Sequence, residues 1–221
     1  LNCKFVAMTI QEANRYITSR LTNIYDQGEA SNIADWVMEN LTGTRRTDRI
    51  INKSRLLSGE QVEKIESYLT RLLTHEPVQY VLGEAWFAGM KFKVNKNVLI
   101  PRPETEEMVD WIVKEINAQY STFNVQCSII DIGTGSGCIP ITLKKKLSQA
   151  DISAIDVCSE ALFTATENAI ELNANVDFLL LDFLDEEKWN ELAQYDIIVS
   201  NPPYVKQSEI NTMHERVKEF E

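Results

Sequence analysis

The sequence contains few of the side chains from which metal sites and disulfide frameworks are built. Its 221 residues include four cysteines and two histidines. The histidines, His75 and His214, lie far apart in the chain, and no two cysteines form a C-x-x-C pair. This spacing gives neither a zinc signature nor a disulfide framework. We therefore expect no metal site. We also expect the four cysteines to be reduced thiols, as in a cytoplasm; they are Cys3, Cys127, Cys138 and Cys158.

Long apolar runs and an excess of positive charge are also missing. No apolar run approaches the roughly 18 residues of a membrane span. The first ten residues hold one lysine and an apolar stretch too short for a secretory signal, so we expect a cytoplasmic protein without membrane contact. With 22 Lys and Arg against 33 Asp and Glu, the net charge is −11. This charge disfavours a large nucleic-acid-binding surface, because such a surface relies on basic side chains at the phosphates. A local basic patch is still compatible with an acidic total.

The first third of the chain has the periodicity of short amphipathic helices. From position 10 onwards, apolar residues recur at three- and four-residue steps, which is typical of a buried helix face. We expect Gly28 to end the first helix and Gly43 to end the second. A capping box beginning at Ser58 predicts a third helix. Residues 1–76 are therefore predicted to form a small all-α N-terminal domain.

Residues 77–104 change character and predict a linker that contains a β-hairpin. From Met90 to Val94, apolar residues alternate with lysines, as they do in a strand. We expect a turn after this strand and a second strand at residues 98–100. Two prolines then hold the chain extended, and Thr105 is a candidate N-cap of the next helix.

Apolar strands alternate with helices in the remainder of the chain. This alternation predicts an α/β domain over residues 105–221, built on a doubly wound, Rossmann-like sheet. The strands are predicted at residues 128–132, 152–156, 176–181 and 196–200.

A glycine-rich turn follows the first of these strands. It reads Asp131-Ile132-Gly133-Thr134-Gly135-Ser136-Gly137. Sheets of this class bind ligands at such a strand-to-helix turn, because glycines let the backbone approach a ligand and the helix offers free N–H groups. A dinucleotide fingerprint would need a third glycine where Cys138 stands. Glycine at every second residue after an acid instead favours an S-adenosylmethionine (AdoMet) site, the alternative being a turn that only packs helix on strand.

Acidic side chains end the next two strands. Asp156 lies 23 residues after Gly133, where a carboxylate can accept hydrogen bonds from both ribose hydroxyls. A helix N-terminal acid is the alternative. After the third strand, Asp182 could meet an adenine amino group and Phe183 could stack on the ring, although Phe183 could equally belong to the core.

The loop after the fourth strand reads Asn201-Pro202-Pro203-Tyr204. Consecutive prolines fix an extended backbone and remove two N–H donors. The side-chain oxygen of Asn201 and the carbonyl of Pro202 could then both accept from a planar –NH₂ group, and Tyr204 could lie against it. These three residues are the candidate catalytic groups, and Pro203 joins them in binding substrate. The alternative is a proline-rich turn with a capping asparagine.

Together these motifs resemble the protein-(glutamine-N(5)) methyltransferases of the HemK/PrmC type. The resemblance implies methylation of the glutamine in the Gly-Gly-Gln motif of peptide-chain release factors, with the helical N-terminal domain recognising the substrate. It implies AdoMet as cofactor and places residues 101–105 beside the reacting centre without a chemical role. Two further stretches carry it, Glu76-Pro77-Val78-Gln79-Tyr80-Val81-Leu82-Gly83 and Leu99-Ile100-Pro101-Arg102-Pro103-Glu104-Thr105-Glu106. By motif, the AdoMet contacts would be Gly133, Thr134, Gly135, Ser136, Gly137, Asp156, Phe183 and Asn201, to which the reasoning above adds Asp131 and Asp182.

Two other functions stay open at this point. An adenine-N(6) nucleic-acid methyltransferase shares the Asn-Pro-Pro-Tyr loop, but the net charge and the helical N-terminal domain disfavour it. A binding module that keeps the AdoMet fold without catalysis is the second. Members of the resembled family continue beyond the position of Glu221, so we expect a missing C-terminal part, which would leave the strand at residues 196–200 as an apolar edge.

Overall fold

The first part of the chain folds as short helices around one apolar cluster. The structure, a computed structural model, describes residues 7–120 and 127–202, and its contacts divide the chain between Leu82 and Gly83. The fully buried side chains of the first unit include Ile17, Leu21 and Met38. The expected all-α N-terminal region is confirmed, with the helices α1 (Ile10–Leu21), α2 (Gln27–Thr42), α3 (Arg46–Ile51), α4 (Gly59–Leu72) and α5 (Val78–Leu82).

Side-chain caps set the ends of these helices. The predicted capping box is present: Ser58 accepts from the Gln61 N–H at 3.2 Å, and the Gln61 side chain accepts from the Ser58 N–H at 2.9 Å. Gly43, with φ 64°, ends α2 as expected. The expectation for Gly28 is wrong, because α1 has already ended and Gly28 lies in the first turn of α2. There its N–H donates to the N-cap side chain of Asp26 at 2.8 Å. This capping hydrogen bond stabilises the start of α2 at a glycine that was expected to end a helix.

A β-hairpin opens the second unit. Its strands, β1 (Glu84–Phe87) and β2 (Met90–Lys93), are antiparallel and pair Phe87 with Met90. Ala88 and Gly89 form the turn with φ 48° and 75°. The expected second strand at residues 98–100 is therefore wrong. A two-residue turn lets β2 pair with the chain just before it, and Val98 and Ile100 are buried outside any strand.

The helix α6 (Pro103–Tyr120) follows the hairpin. It begins at Pro103, whose fixed φ suits the first turn of a helix. Thr105 therefore lies inside the helix, and the expectation that it is the N-cap is wrong. With 18 residues, α6 is the longest helix described, and no helix in the described part has the length and apolarity to cross a membrane.

The rest of the second unit is a parallel sheet with alternating helices, which confirms the expected fold class. The strand order is β5-β4-β3-β6, and all three pairings are parallel. The chain thus runs outward from β3 to β5 and then returns to the other side of β3. Ligands bind at such a reversal in sheets of this class. The elements are β3 (Ser128–Ile132), α7 (Cys138–Lys146), β4 (Asp151–Asp156), α8 (Ser159–Glu171), β5 (Asp177–Leu180), a short 3₁₀ helix (Glu186–Glu191) and β6 (Ile197–Ser200).

Candidate active site at the carboxyl edge of the sheet

The predicted site residues follow the carboxyl ends of four adjacent parallel strands. Residues 133–137 follow β3, Asp156 ends β4, Asp182 follows β5 and Asn201 follows β6. Since β3 lies between β4 and β6, the glycine loop is central and the other groups flank it. The hydroxyl of Ser200 donates to the Ile132 carbonyl at 2.9 Å, which ties the end of β6 to the start of this loop.

The three glycines of the loop adopt backbone conformations that side chains disfavour. Their φ angles are 74° at Gly133, 55° at Gly135 and 77° at Gly137. A Cβ added at Gly133 or Gly135 would meet nothing within 4 Å, whereas one at Gly137 would lie 3.0 Å from side-chain atoms of Ala165 and Ile141. The first two glycines therefore border open space, and the third permits close packing of α7 on α8.

Two side chains outside the loop hold it in this shape. Asp156 accepts the Gly135 N–H at 2.8 Å with one carboxylate oxygen and the Cys158 N–H at 2.9 Å with the other. Asn168, which is buried in α8, donates to the Ser136 carbonyl at 2.9 Å and to the Lys93 carbonyl at 3.0 Å. The sequence predicts neither the hydrogen bond from the Gly135 N–H to Asp156 nor those that Asn168 donates. No spacing signal marks either contact, because each joins segments far apart in the chain.

The loop also buries polar atoms that are unpaired within the described residues. Both carboxylate oxygens of Asp131 and the hydroxyls of Thr134 and Ser136 have no hydrogen-bond partner there. Burial raises the pKa of Asp131 to about 7, and the charge of Asp156 adds to the rise. The nearby Thr134 hydroxyl lowers the pKa of Asp131 and so offsets part of this rise, although the two side chains do not meet the geometry of a hydrogen bond. Because buried polar atoms are normally paired, this cluster fits a ligand that brings donors.

Cys138 directly follows the loop and is buried. Burial raises the pKa of its thiol to about 12, and the charge of Asp131 adds to the rise. A thiol in this state carries little thiolate and is chemically inert. Cys138 therefore packs α7 as a buried, neutral thiol.

The residues after β5 form an aromatic pair. Phe183 stacks on Trp189 with ring centroids 5.3 Å apart and an interplanar angle of 25°. The Trp189 indole N–H donates to the Phe183 carbonyl at 2.9 Å, and Asp182 accepts the Leu184 N–H at 2.9 Å. Trp189 was not predicted as a site residue. It covers one face of the ring that was expected to stack on adenine.

Asn201 is joined to the first turn of α6. Its side-chain Nδ2 donates to the hydroxyl of Thr105 at 3.0 Å, across 96 positions of sequence. Thr105 is 5% exposed. Pro202 is exposed at the start of the loop, while Pro203 and Tyr204 lie outside the described residues. Within that described part, no group of His, Cys, Asp or Glu side chains could hold a metal ion.

Two family models and several relatives match most of this chain. Residues 12–83 match the family model described as PrmC N-terminal domain, and residues 112–219 match the one described as Methyltransferase small domain. The release factor glutamine methyltransferase of Flavobacterium psychrophilum is 40% identical over 97% of this chain and 74% of its own length. Its counterpart from Bacteroides thetaiotaomicron is 40% identical over 93% and 71%. The Bacillus subtilis counterpart is 35% identical over 95% and 71%.

Among solved structures, the similarity is lower. A SAM-dependent methyltransferase from Agrobacterium tumefaciens matches with a TM-score of 0.44 and 16% sequence identity. The match covers 54% of this chain and 39% of that one.

Proposed function

The chain belongs to the release factor glutamine methyltransferase family, and on that premise we propose the reaction that it catalyses. It transfers the methyl group of AdoMet to the side-chain amide nitrogen of the glutamine in the Gly-Gly-Gln motif of peptide-chain release factors. The observation that carries this proposal is the position of the Asn201 amide, at the same sheet edge as the glycine loop. In this proposal, residues 1–76 recognise the release factor and residues 105–221 bind AdoMet and catalyse the methyl transfer. Residues 77–104 link the two parts of the chain.

The glycine loop and its neighbours supply the groups that AdoMet requires. The open space beside Gly133 and Gly135 lets a ligand approach the backbone closely. Asp156 keeps acceptor capacity for ribose hydroxyls, because a carboxylate oxygen can accept more than one hydrogen bond. The buried carboxylate of Asp131 and the hydroxyls of Thr134 and Ser136 fit polar hydrogens of the cofactor. AdoMet supplies an electrophilic methyl group on a positively charged sulfur.

Carboxylates give this edge of the sheet the charge that such a cofactor needs. Asp156 ends β4 and Asp182 follows β5, and AdoMet carries positive charge on its sulfonium and amino groups. Asp182 and Phe183 are assigned to the adenine, with Trp189 supporting the ring of Phe183 from its other side.

The loop after β6 is proposed to orient the substrate amide. The side-chain oxygen of Asn201 and the carbonyl of Pro202 accept the two amide hydrogens of the glutamine. Pro203 and Tyr204, which lie outside the described residues, are assigned to substrate binding by their place in the motif. An amide nitrogen is a weak nucleophile because its lone pair is delocalised. Two acceptors aimed at its hydrogens favour the positive charge that develops on it and align the lone pair for in-line attack.

The proposed displacement balances without a metal or a dedicated base. A carbon–nitrogen bond forms as the carbon–sulfur bond breaks, and the bonding pair leaves with sulfur. The alkylated amide nitrogen is strongly acidic and releases its proton to solvent.

Transfer of labelled methyl from AdoMet tests this function against its alternatives. Three acceptors are compared under the same conditions: release factor, DNA and buffer alone. We expect label on release factor only. Label on DNA would instead indicate an adenine-N(6) methyltransferase, and AdoMet binding without any transfer would indicate a non-catalytic module.

A further inference from the structure

The first unit carries no net formal charge, although the chain as a whole is acidic. Residues 1–82 contain ten Lys and Arg and ten Asp and Glu, whereas residues 83–221 contain 12 and 23. The whole net charge of −11 therefore belongs to residues 83–221. A surface that attracts acidic macromolecules is expected in the first unit.

An open cavity of about 380 Å³ lies among α1, α2 and α3 of that unit. Among the described residues that line it, Asp35 is the one acid. The lining also holds four basic side chains, those of Arg15, Arg46, Arg49 and Lys53. The lining therefore has an excess of three positive charges.

The charge of Asp35 is already compensated inside the unit. The buried guanidinium of Arg49 donates to the Asp35 carboxylate, and it also donates to the Asp35 carbonyl at 3.2 Å and to the Thr44 carbonyl. The other three basic side chains are exposed. Within the described part of the chain, Arg15, Arg46 and Lys53 form no ion pair, so they remain available to a partner.

Backbone hydrogen bonds fix the position of one wall of the cavity. The Gln11 N–H donates to the Lys53 carbonyl at 3.0 Å, and the Ile10 N–H donates to the Arg55 carbonyl at 2.9 Å. The segment that carries Lys53 is therefore attached to the start of α1, and the charged surface is formed before any partner arrives.

A second cavity extends this surface along α1 and α2. It shares Asn14, Arg15 and Ser31 with the first one, and its other described lining residues are polar and uncharged. We call the two together the basic groove. A groove with charged side chains at one end and amides and hydroxyls along the rest suits an extended peptide, whose backbone also needs hydrogen-bond partners.

We propose that the basic groove docks an acidic peptide segment of the release factor, an inference that rests on the function proposed above. Guanidinium groups pair well with the carboxylates of Asp and Glu. A nucleic acid fits less well, because three excess cations are fewer than the roughly six to ten phosphate contacts of a typical nucleic-acid-binding protein. The acidic remainder of the chain would also repel such a polyanion.

Charge reversal separates docking from chemistry. Arg46→Glu is compared with Lys64→Glu, which makes the same change of charge at an exposed position of α4 that does not line the groove. A triple variant combines Arg15→Glu, Arg46→Glu and Lys53→Glu. Since these side chains are exposed, we expect the urea midpoints of all variants to stay near that of the unsubstituted protein.

The kinetic readout is KM for release factor, together with kcat and the dissociation constant of AdoMet. At low salt, we expect the triple variant to raise KM about tenfold and Arg46→Glu about two- to threefold, with kcat and AdoMet affinity unchanged. Lys64→Glu should leave KM near its original value. Added salt should bring the KM of the unsubstituted protein toward that of the triple variant, because it screens exposed charges. An unchanged KM in the triple variant, or equal rises in Arg46→Glu and Lys64→Glu, would overturn the inference.

Calorimetry with release factor tests docking without turnover. We expect release factor to bind the triple variant more weakly than the unsubstituted protein, and equal affinities would overturn the inference. Weaker binding by the triple variant, combined with no methyl transfer by the unsubstituted protein, would refute the proposed function and leave the docking inference standing. A single-stranded RNA that binds more tightly than release factor, and only when the groove is intact, would overturn the assignment of a peptide.

Discussion

Alanine substitutions at two glycines of the loop should rank in one order for the loss of stability and in the reverse order for the loss of cofactor affinity. Both Gly133 and Gly137 have φ near +75°, so alanine costs about 1–2 kcal/mol of backbone strain at either position. At Gly137 the new Cβ also lies 3.0 Å from atoms of Ala165 and Ile141. Overpacking of this kind adds about 1–3 kcal/mol. At Gly133 the Cβ meets nothing within 4 Å, so strain is the whole cost.

We therefore expect the free energy of unfolding to fall by roughly 2–5 kcal/mol in Gly137→Ala and by about 1–2 kcal/mol in Gly133→Ala. Urea denaturation with the slope held common measures both. Calorimetry should show the reverse order for AdoMet, because the methyl at Gly133 projects into the space assigned to the cofactor. Equal destabilisation by the two substitutions would refute the packing argument for Gly137. Full AdoMet affinity in folded Gly133→Ala would refute the placement of the cofactor.

Three further substitutions test individual side chains of the site. Asp156→Ala removes the acceptor for the Gly135 and Cys158 N–H groups as well as the one proposed for ribose, and calorimetry should show AdoMet affinity weakened by about 1–3 kcal/mol; an unchanged affinity removes Asp156 from the site. Asn201→Ala should depress methyl transfer far more than AdoMet affinity, and transfer at the original rate would contradict its role. The raised pKa of Asp131 means that the folded protein retains a proton that the unfolded chain releases, so stability should fall as pH rises from about 3.8 to about 7. The fall is at most about 4 kcal/mol, and urea unfolding of Asp131→Asn across this range should lack it; the same fall in the variant would assign it to other groups.

The strands of the sheet could be predicted from the sequence because local signals define them. The strand predicted at residues 128–132 coincides with β3, and the one at residues 196–200 differs from β6 only at its first residue. Short apolar runs bounded by a glycine loop, helices and prolines leave few alternatives for such segments. The capping box at Ser58 is equally local, since its two hydrogen bonds span three residues.

The features that escaped prediction depend on pairing between distant segments. The apolar residues 98–100 fit a strand as well as Glu84–Phe87 does, and only tertiary packing decides which one pairs with β2. The contact between Thr105 and Asn201 and the bridge from Asp156 to Gly135 are likewise tertiary contacts, which no periodicity records. The sequence predicts Thr105 as an N-cap only if the chain at position 103 is extended, whereas Pro103 is the first residue of α6.

The central claim concerns one nitrogen atom in one substrate, and peptide mapping of the methylated product tests it directly. Release factor is incubated with this protein and AdoMet, digested and analysed by mass spectrometry, beside a release factor in which alanine replaces the glutamine of Gly-Gly-Gln. We predict a single added methyl group on that glutamine and none on the alanine variant. Methylation at another residue, or equal methylation of the alanine variant, would contradict the account.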